Sequence, residues 1–361
     1  MYEEKIKELE QELSKTKYNK KTQHHIGLVK AKLAKLKEKE VSRGSKGGKS
    51  EGYSVKKSGD ATVVLLGFPS VGKSTLLNAL TDAESEVGDY AFTTLTVIPG
   101  LLEIDGAKIQ VLDVPGIVKG AAAGTGRGKE VLAVLRNADL VLMLIDPFFP
   151  GHLKFLNKEV YDTNIRLDKE KPDVKIVKKS KDGIKIGKTV RLELTNETIT
   201  DVLKEFRINN ADVVIRSKIN VDELIDVIEN NKVYIPSIKV LAKADLMDRR
   251  RRKELNKMLR PDVIVSAQTM ENIPKLKKMI FNSLKFMRIY MKEPGKPADM
   301  KEPMIVKVDS SVRQVCQKIH KDFVKKFKFC KVSGPSSKFP NQKFALKHVL
   351  KDGDVLARTS G

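Results

Sequence analysis

The 361-residue chain has no tryptophan, only two cysteines and 6% aromatic residues. Two thiols, Cys316 and Cys330, give no disulfide framework, so the sequence points to a reducing compartment and away from disulfide-stapled secreted proteins. Long apolar runs are also missing. The longest in the central region, Leu140 to Ile145, falls far short of the ~20 residues needed to span a bilayer. The opening Met1-Tyr-Glu-Glu-Lys5 has no apolar leader. These absences predict a cytoplasmic protein with no membrane partner. Apolar residues still make up 40% of the chain, enough for folded cores, and the length suits roughly two to three domains.

Acidic residues are in the minority, 46 Asp and Glu against 69 Lys and Arg, for a net charge of +23. The imbalance is uneven: +7 over residues 1–60, −4 over 61–149, +2 over 150–235, +10 over 236–296 and +8 over 297–361. The stretch richest in motifs is the only acidic one, so the excess charge does not serve a small-ligand site. It forms an outer basic surface, which suits a polyanion such as nucleic acid or a ribonucleoprotein. A solubilising Lys-rich surface of the thermophile kind is the alternative.

Residues 1–50 read as a helical region, with Leu9 and Leu13, and Val29, Leu33 and Leu36, at helical spacing and a break over Asn19–Gly27. Ser42–Gly52 is a basic Gly/Ser linker. From Ala61, short apolar strands (Thr62–Leu66, Ile109–Asp113, Leu140–Asp146, Ser237–Ala242, Val263–Ser266) alternate with helical patterns. That alternation predicts an α/β fold with a parallel sheet covered by helices. The domain so defined covers 60–150 and 236–292. Residues 151–235 are too long for one crossover. They read as an inserted α+β module with a hairpin (Val174–Val177, Lys181-Asp-Gly183, Thr189–Leu194) and helices near Thr198–Phe206 and Val221–Asn230. After a linker, Glu293–Pro297, a compact α+β tail fills 297–361.

Chemistry enters at Gly67-Phe68-Pro69-Ser70-Val71-Gly72-Lys73-Ser74, a GxxxxGK[ST] loop directly after a strand and before the helix that opens with Thr75. Backbone amides of such a turn wrap phosphate oxygens, and the helix N-terminus adds partial positive charge. Lys73 would neutralise β- and γ-phosphates and Ser74 would ligate Mg²⁺. Asp113-Val-Pro-Gly116 ends the next strand: its Asp can hold a Mg²⁺-bound water, and the Gly116 amide can sense a γ-phosphate. Thr94, in Asp89–Thr94, can complete the Mg²⁺ shell. Thr93 is the alternative. Ala242-Lys243-Ala244-Asp245 follows another strand. Its Asp can accept two hydrogen bonds from guanine, and the Lys243 stem can cover the ring. Ser266-Ala267-Gln268 fits a loop whose Ala amide meets guanine O6.

Together with GFPSVGKSTLLNAL, DYAFTTLTVIPG and DVPGIVKGAAAGTGRGKEVL, these residues make the chain resemble the developmentally regulated GTP-binding protein (DRG) family of Obg-like, translation-factor-related GTPases. The resemblance runs along the whole chain. It implies a P-loop GTPase with a ribosomal-protein-like insert, an N-terminal helical hairpin and a C-terminal β-grasp (TGS) domain. It also implies a GTPase that hydrolyses GTP to GDP in association with ribosomes. Two departures bear on chemistry. Ala242 stands where Asn is common, and Ile117 stands where Ras-like enzymes carry the water-orienting Gln, which predicts slow intrinsic turnover. A helper is then needed: a protein regulator, a potassium ion near Ser70, or Arg127 in the Gly-rich segment Gly116–Gly128, which reads as a switch.

Arg249-Arg-Arg-Arg-Lys253 is either an RNA contact or a solvated helix face. His24, His25, His152, His320 and His348 show no metal-ligand spacing. Phe323, Phe327, Phe329 and Phe339 read as core of the small tail. Two alternative readings remain: an RNA-binding module with a structural nucleotide, and an ATPase of the same superfamily.

Overall fold

Val63–Leu66 and Leu140–Ile145 contain no polar residue, so as strands they need cover on both faces. A computed structural model of the chain describes residues 2–17, 19, 22–44, 59–81, 98–115, 128–293, 296–325 and 327–358. In it both runs are fully buried strands. The chain divides into two units, one of residues 1–52 and 169–234, the other of 53–168 and 235–361.

In the second unit, a six-stranded sheet runs in the order Val263–Ile264, Ser237–Leu241, Leu140–Ile145, Ala61–Leu66, Ala107–Asp113, Ile98–Ile104. The first five strands are mutually parallel, as the alternating pattern predicts. The sixth, absent from the sequence reading, pairs antiparallel with Ala107–Asp113. Helices Lys73–Leu80 and Ile273–Ser283 cover one face, placing Leu76, Leu77, Leu276 and Ile280 in one core with Val63, Leu65, Leu142 and Val240.

A second sheet in this unit orders Met304–Lys307, Phe286–Lys292, Val355–Arg358, Cys330–Ser333 and Gln342–Phe344. The middle pair is parallel, and helix Val312–Ile319 buries Val312 and Val315 against the sheet. This is the β-grasp arrangement, but its boundary differs from the sequence reading. Phe286–Lys292, assigned there to the GTPase domain, is a strand of the C-terminal sheet, so the linker read at Glu293–Pro297 falls between two strands of one module. The reason is visible in the packing: Met287 and Ile289 belong to the small core with Val306, Val332 and Leu356. The aromatic expectation also needs correction. Phe327 packs against that aliphatic core, whereas Phe339 is 58% exposed and Phe329 lies beneath Lys343.

In the first unit, the expected hairpin does not form. Val174–Lys178 and Ile184–Lys188 flank a strand the sequence reading missed, Ala211–Ile215, which is antiparallel to the first and parallel to the second. Its every-other-residue burial marks one covered face, and pairing on both sides makes it the central strand. Helices Asn196–Glu205 and Val221–Glu229 form where expected because each begins with a cap. Thr195 accepts from the Thr198 amide, and Asn220 and Glu223 make a capping box.

The N-terminal region is two helices, Tyr2–Lys15 and Gln23–Gly44. Gly27, within the break expected over Asn19–Gly27, lies inside the second helix. A Cβ there would meet Thr198 Cγ2 at 3.2 Å and Val202 Cγ2 at 3.7 Å, so the glycine lets this helix approach Asn196–Glu205 closely. Ala31, one turn on, is fully buried in the same core.

Gly27→Leu should therefore destabilise this unit by about 1–3 kcal/mol through overpacking. The check is a lower chemical-denaturation midpoint for this variant, with helical content retained.

Candidate functional site

The motif loops all follow strands of the parallel sheet, so they meet at its carboxyl edge. Gly67–Gly72 connects Ala61–Leu66 to helix Lys73–Leu80, and the turn places Ser70 and Gly72 at φ 60° and 99°. Gly72 is therefore the residue suited to its position. Lys73 is buried, and its Nζ donates to the carbonyls of Gly67 (3.4 Å) and Phe68 (3.2 Å). Burial lowers its pKa from the usual lysine value, partly opposed by the negative charge of Asp113.

Ser74 Oγ donates to Asp113 Oδ2 at 2.5 Å. Strand pairing brings this about: Leu65 sits opposite Asp113 in register. The P-loop and the DxxG motif are thus joined through two oxygen donors beside a buried cation. Such hard ligands fit Mg²⁺. Thr94, Gly116, Ile117 and Arg127 lie outside the described residues. Phe68, expected at the nucleotide, turns its ring elsewhere. It stacks on His152 at a centroid distance of 3.8 Å and lies 5.7 Å from Phe155, which ties the loop's side chain to helix His152–Asp162.

A cavity of about 190 Å³ lies between the P-loop helix and the two loops read for base recognition. Gly72, Thr75, Ala242, Lys243, Asp245 and Ala267 line it. Asp245 Oδ1 accepts from Ser266 Oγ at 2.5 Å, and Ser266, fully buried, also accepts from the Thr269 amide at 3.1 Å. Ser266 acts here by holding Asp245. Among the described residues Oδ2 of Asp245 has no hydrogen-bond partner, which leaves it available to a ligand. Lys243 adopts a left-handed conformation (φ 55°), and its Nζ donates to Asp146 Oδ2 at 2.7 Å. Ala242 presents only a methyl to the cavity, while its amide donates to Ile145 O at 3.0 Å.

Two residues of the arginine run face inward, contrary to reading the run as one RNA contact or one solvated face. On helix Arg249–Leu259, Arg252 makes a two-pronged contact with Glu271 (2.8 and 3.0 Å) and donates to Ala244 O at 2.7 Å. Ala244 lies inside the guanine motif. Glu271 accepts the Ser266 amide through its carbonyl at 3.2 Å. Arg252 therefore ties together the two loops that line this cavity. Arg251 donates to Pro147 O at 3.1 Å and pairs with Glu254. Arg249, Arg250 and Lys253 remain exposed.

Sequence reasoning missed Arg252, Glu271 and Asp146. Asp146 could have been found as a lone carboxylate at a strand end, and Arg252 by its helical spacing from the buried Leu255. His24 does meet carboxylates, which linear spacing could not show. Its Nε2 is 2.7 Å from Asp201, with Glu197 nearby. Among the described residues no helix is long and apolar enough to cross a membrane.

Comparison with known proteins agrees with this geometry. Residues 62–179 match a family described as a 50S ribosome-binding GTPase, 181–286 match the C-terminal region of that domain, and 287–357 match the TGS domain. An uncharacterized GTP-binding protein of Methanocaldococcus jannaschii is 52% identical, with 98% of this chain and 92% of that protein covered. Developmentally-regulated GTP-binding protein 1 of Xenopus laevis is 42% identical, covering 98% of this chain and 97% of the relative. The human developmentally-regulated GTP-binding protein 2 is 41% identical, with 98% of both chains covered.

Removing a hydrogen-bonded, half-buried charge costs about 1.5–3 kcal/mol, so Arg252→Ala should weaken GDP binding by about tenfold or more. Glu271→Gln should act in the same direction. Fluorescent-GDP dissociation rates check both, with ATP exclusion as the second readout.

Proposed function

The chain belongs to the developmentally regulated GTP-binding protein family, and from that premise we propose that it is a Mg²⁺-dependent GTPase switch acting in the cytoplasm with the ribosome. The observation that carries this reading is the convergence of three anchored groups at one sheet edge. Lys73 is held within its own loop, Ser74 is joined to Asp113, and Asp245 is fixed by Ser266 with one oxygen left to bind.

In this reading the P-loop amides and Lys73 hold the β- and γ-phosphates. Asp245 accepts from guanine N1–H and the 2-amino group, and the Ala267 amide meets O6. Ser74 and Thr94 would hold Mg²⁺. When bound, Mg²⁺ offsets charge on the β- and γ-phosphate oxygens. Asp113 holds Ser74 and accepts from a water at that position. The Gly116 amide reports the γ-phosphate to the segment that follows it. Attack of water on the γ-phosphate breaks its bond to the β-phosphate bridging oxygen, giving GDP and phosphate.

Ile117 offers no group to orient that water, so turnover is slow until another group assists. The GTPase core then comprises residues 60–150 and 236 to about 285. The insert and the C-terminal module present surfaces to the partner, and the basic charge of 236–361 supports a ribonucleoprotein as that partner.

Hydrolysis assays with GTP and ATP, in sodium or potassium, with and without purified ribosomes, test the reading. Slow, GTP-selective turnover that rises on adding ribosomes is expected. Tight GTP binding with no stimulation would favour an RNA-binding module with a structural nucleotide, and ATP preference would overturn the role of Asp245. Asp245→Asn should lower GTP affinity by ~100-fold or more, because one of guanine's two donors then meets an amide N–H instead of a carboxylate oxygen. The same change should improve binding of XTP, whose 2-oxo group accepts from the new amide. Competition against fluorescent GDP measures both shifts.

A further inference from the structure

The nucleotide site makes no use of the lysines of the insert. Residues 169–188 contain eight lysines and three acidic residues. The module's small net charge hides this excess, because helices Asn196–Glu205 and Val221–Glu229 contain seven acidic residues and one lysine. The two signs lie on opposite sides. The acidic helices meet Gln23–Gly44, which contributes Lys30 to Asp222 (2.7 Å), Lys35 to Glu205 (3.0 Å) and His24 to Asp201 (2.7 Å). That side is already neutralised.

The three-stranded sheet packs Ile176, Ile184, Ile186, Ala211, Val213 and Ile215 toward those helices. By the two-residue period of a strand, its other face carries Lys175, Val177, Lys185, Gly187, Asp212 and Val214. Register places Val214 between Lys175 and Gly187, and Asp212 between Val177 and Lys185. Lys175, Val177, Lys185 and Gly187 are exposed. Lys179 pairs with Asp212, and Lys188 donates to Leu194 O. Among the described residues, Lys175, Lys178, Lys181 and Lys185 have no acidic partner. Lys175 and Lys178 also border a cavity of about 380 Å³ beside the edge strand, together with Lys171. That cavity contains Asp226 as well, but its carboxylate is buried 4.0 Å from Lys232.

Edge strands often carry lysine to discourage strand addition, and solubilising surfaces mix both signs. Neither explains unpaired lysines of one sign on a sheet face as well as its edges. The face has no aromatic residue on which a base could stack. At Gly187 it is open: a Cβ there would find nothing closer than Val213 O at 3.9 Å. Standard strand geometry sets Lys175 and Lys185 about 12 Å apart across three strands. A shallow surface with separated point charges matches a sugar–phosphate backbone read by shape. We propose that this open sheet face, centred on Lys175 and Lys185 with Lys178 and Lys181 at its rim, is a docking surface for the backbone of structured RNA. The proposal rests on the ribosome-linked reading above and names the surface that reading requires.

The test uses the full chain and a fluorescein-labelled RNA hairpin, with anisotropy titrations between about 50 and 200 mM salt. Replacing Lys175, Lys178 and Lys185 together with Gln should weaken binding by at least tenfold. The slope of log affinity against log salt should fall by about two to three. Gly187→Asp, which removes no lysine, should weaken binding in the same direction. Thermal melting and GDP affinity should match the unaltered chain for both variants.

A control replaces the exposed Arg249, Arg250 and Lys253 with Gln. A larger loss in that control than in the lysine variants, or no loss in the lysine variants, overturns the surface while leaving RNA binding intact. Equal affinity for an acidic polypeptide overturns RNA as the occupant. No RNA binding by the unaltered chain overturns both the surface and the RNA partner, with GTP turnover unaffected.

Discussion

Leu65 pairs with Asp113, and Leu241 pairs with both Ile145 and Ile264, all in parallel register. Parallel pairing puts the carboxyl ends of the strands at one edge, where the loops carry the residues proposed to bind the nucleotide. The site therefore exists only while that register holds. A one-residue slip would move Asp113 away from Ser74 and send each side chain to the opposite covered face, where the packing does not fit it. Burial of six consecutive residues in each of the two central strands sets the cost of such a slip.

What holds the loops once they leave the sheet is a second layer of polar contacts. Ser266 fixes Asp245, Asp146 fixes Lys243, and Arg252 fixes Ala244 against Glu271. These contacts span from 8 residues, Arg252 to Ala244, to 97 residues, Lys243 to Asp146. The motif residues were legible because their chemistry lies in short consecutive patterns after strands. Their supports were not, because a lone Asp or one Arg among four looks the same in sequence whether it faces solvent or a carbonyl. Strand Ala211–Ile215 escaped for a similar reason: a five-residue run gives no sign that two other strands will close around it. The C-terminal boundary was misread because Pro and Gly mark turns within a module as readily as breaks between modules. The glycine of Gly27 was misread because its role depends on a helix met 171 residues later, at Thr198.

Charge in the insert follows the same logic of hidden pairing. Counted by segment, residues 150–235 are nearly neutral, which made them appear less interesting than the basic segments beyond them. Sorted by face, they divide into acidic helices matched to a basic N-terminal helix and a lysine sheet in which Lys175, Lys178, Lys181 and Lys185 have no acidic partner among the described residues. Net charge averages over surfaces that never meet the same partner.

The unit formed by residues 1–52 and 169–234 is discontinuous, and this has a consequence for how the chain is made. Lys30 waits for Asp222, 192 residues downstream, and Lys35 waits for Glu205, 170 residues downstream. At ~5–20 residues per second of synthesis, the N-terminal helices stand without their partners for ~10–40 seconds. During that interval Gly27 and Ala31, which pack against the insert in the finished fold, have no core to enter. The intervening GTPase strands are complete only once Ser237–Leu241 and Val263–Ile264 follow, so both units close late and nearly together. The abundant lysines of Gln23–Gly44 then have a second use, keeping a nascent amphipathic helix soluble until its acidic counterparts arrive.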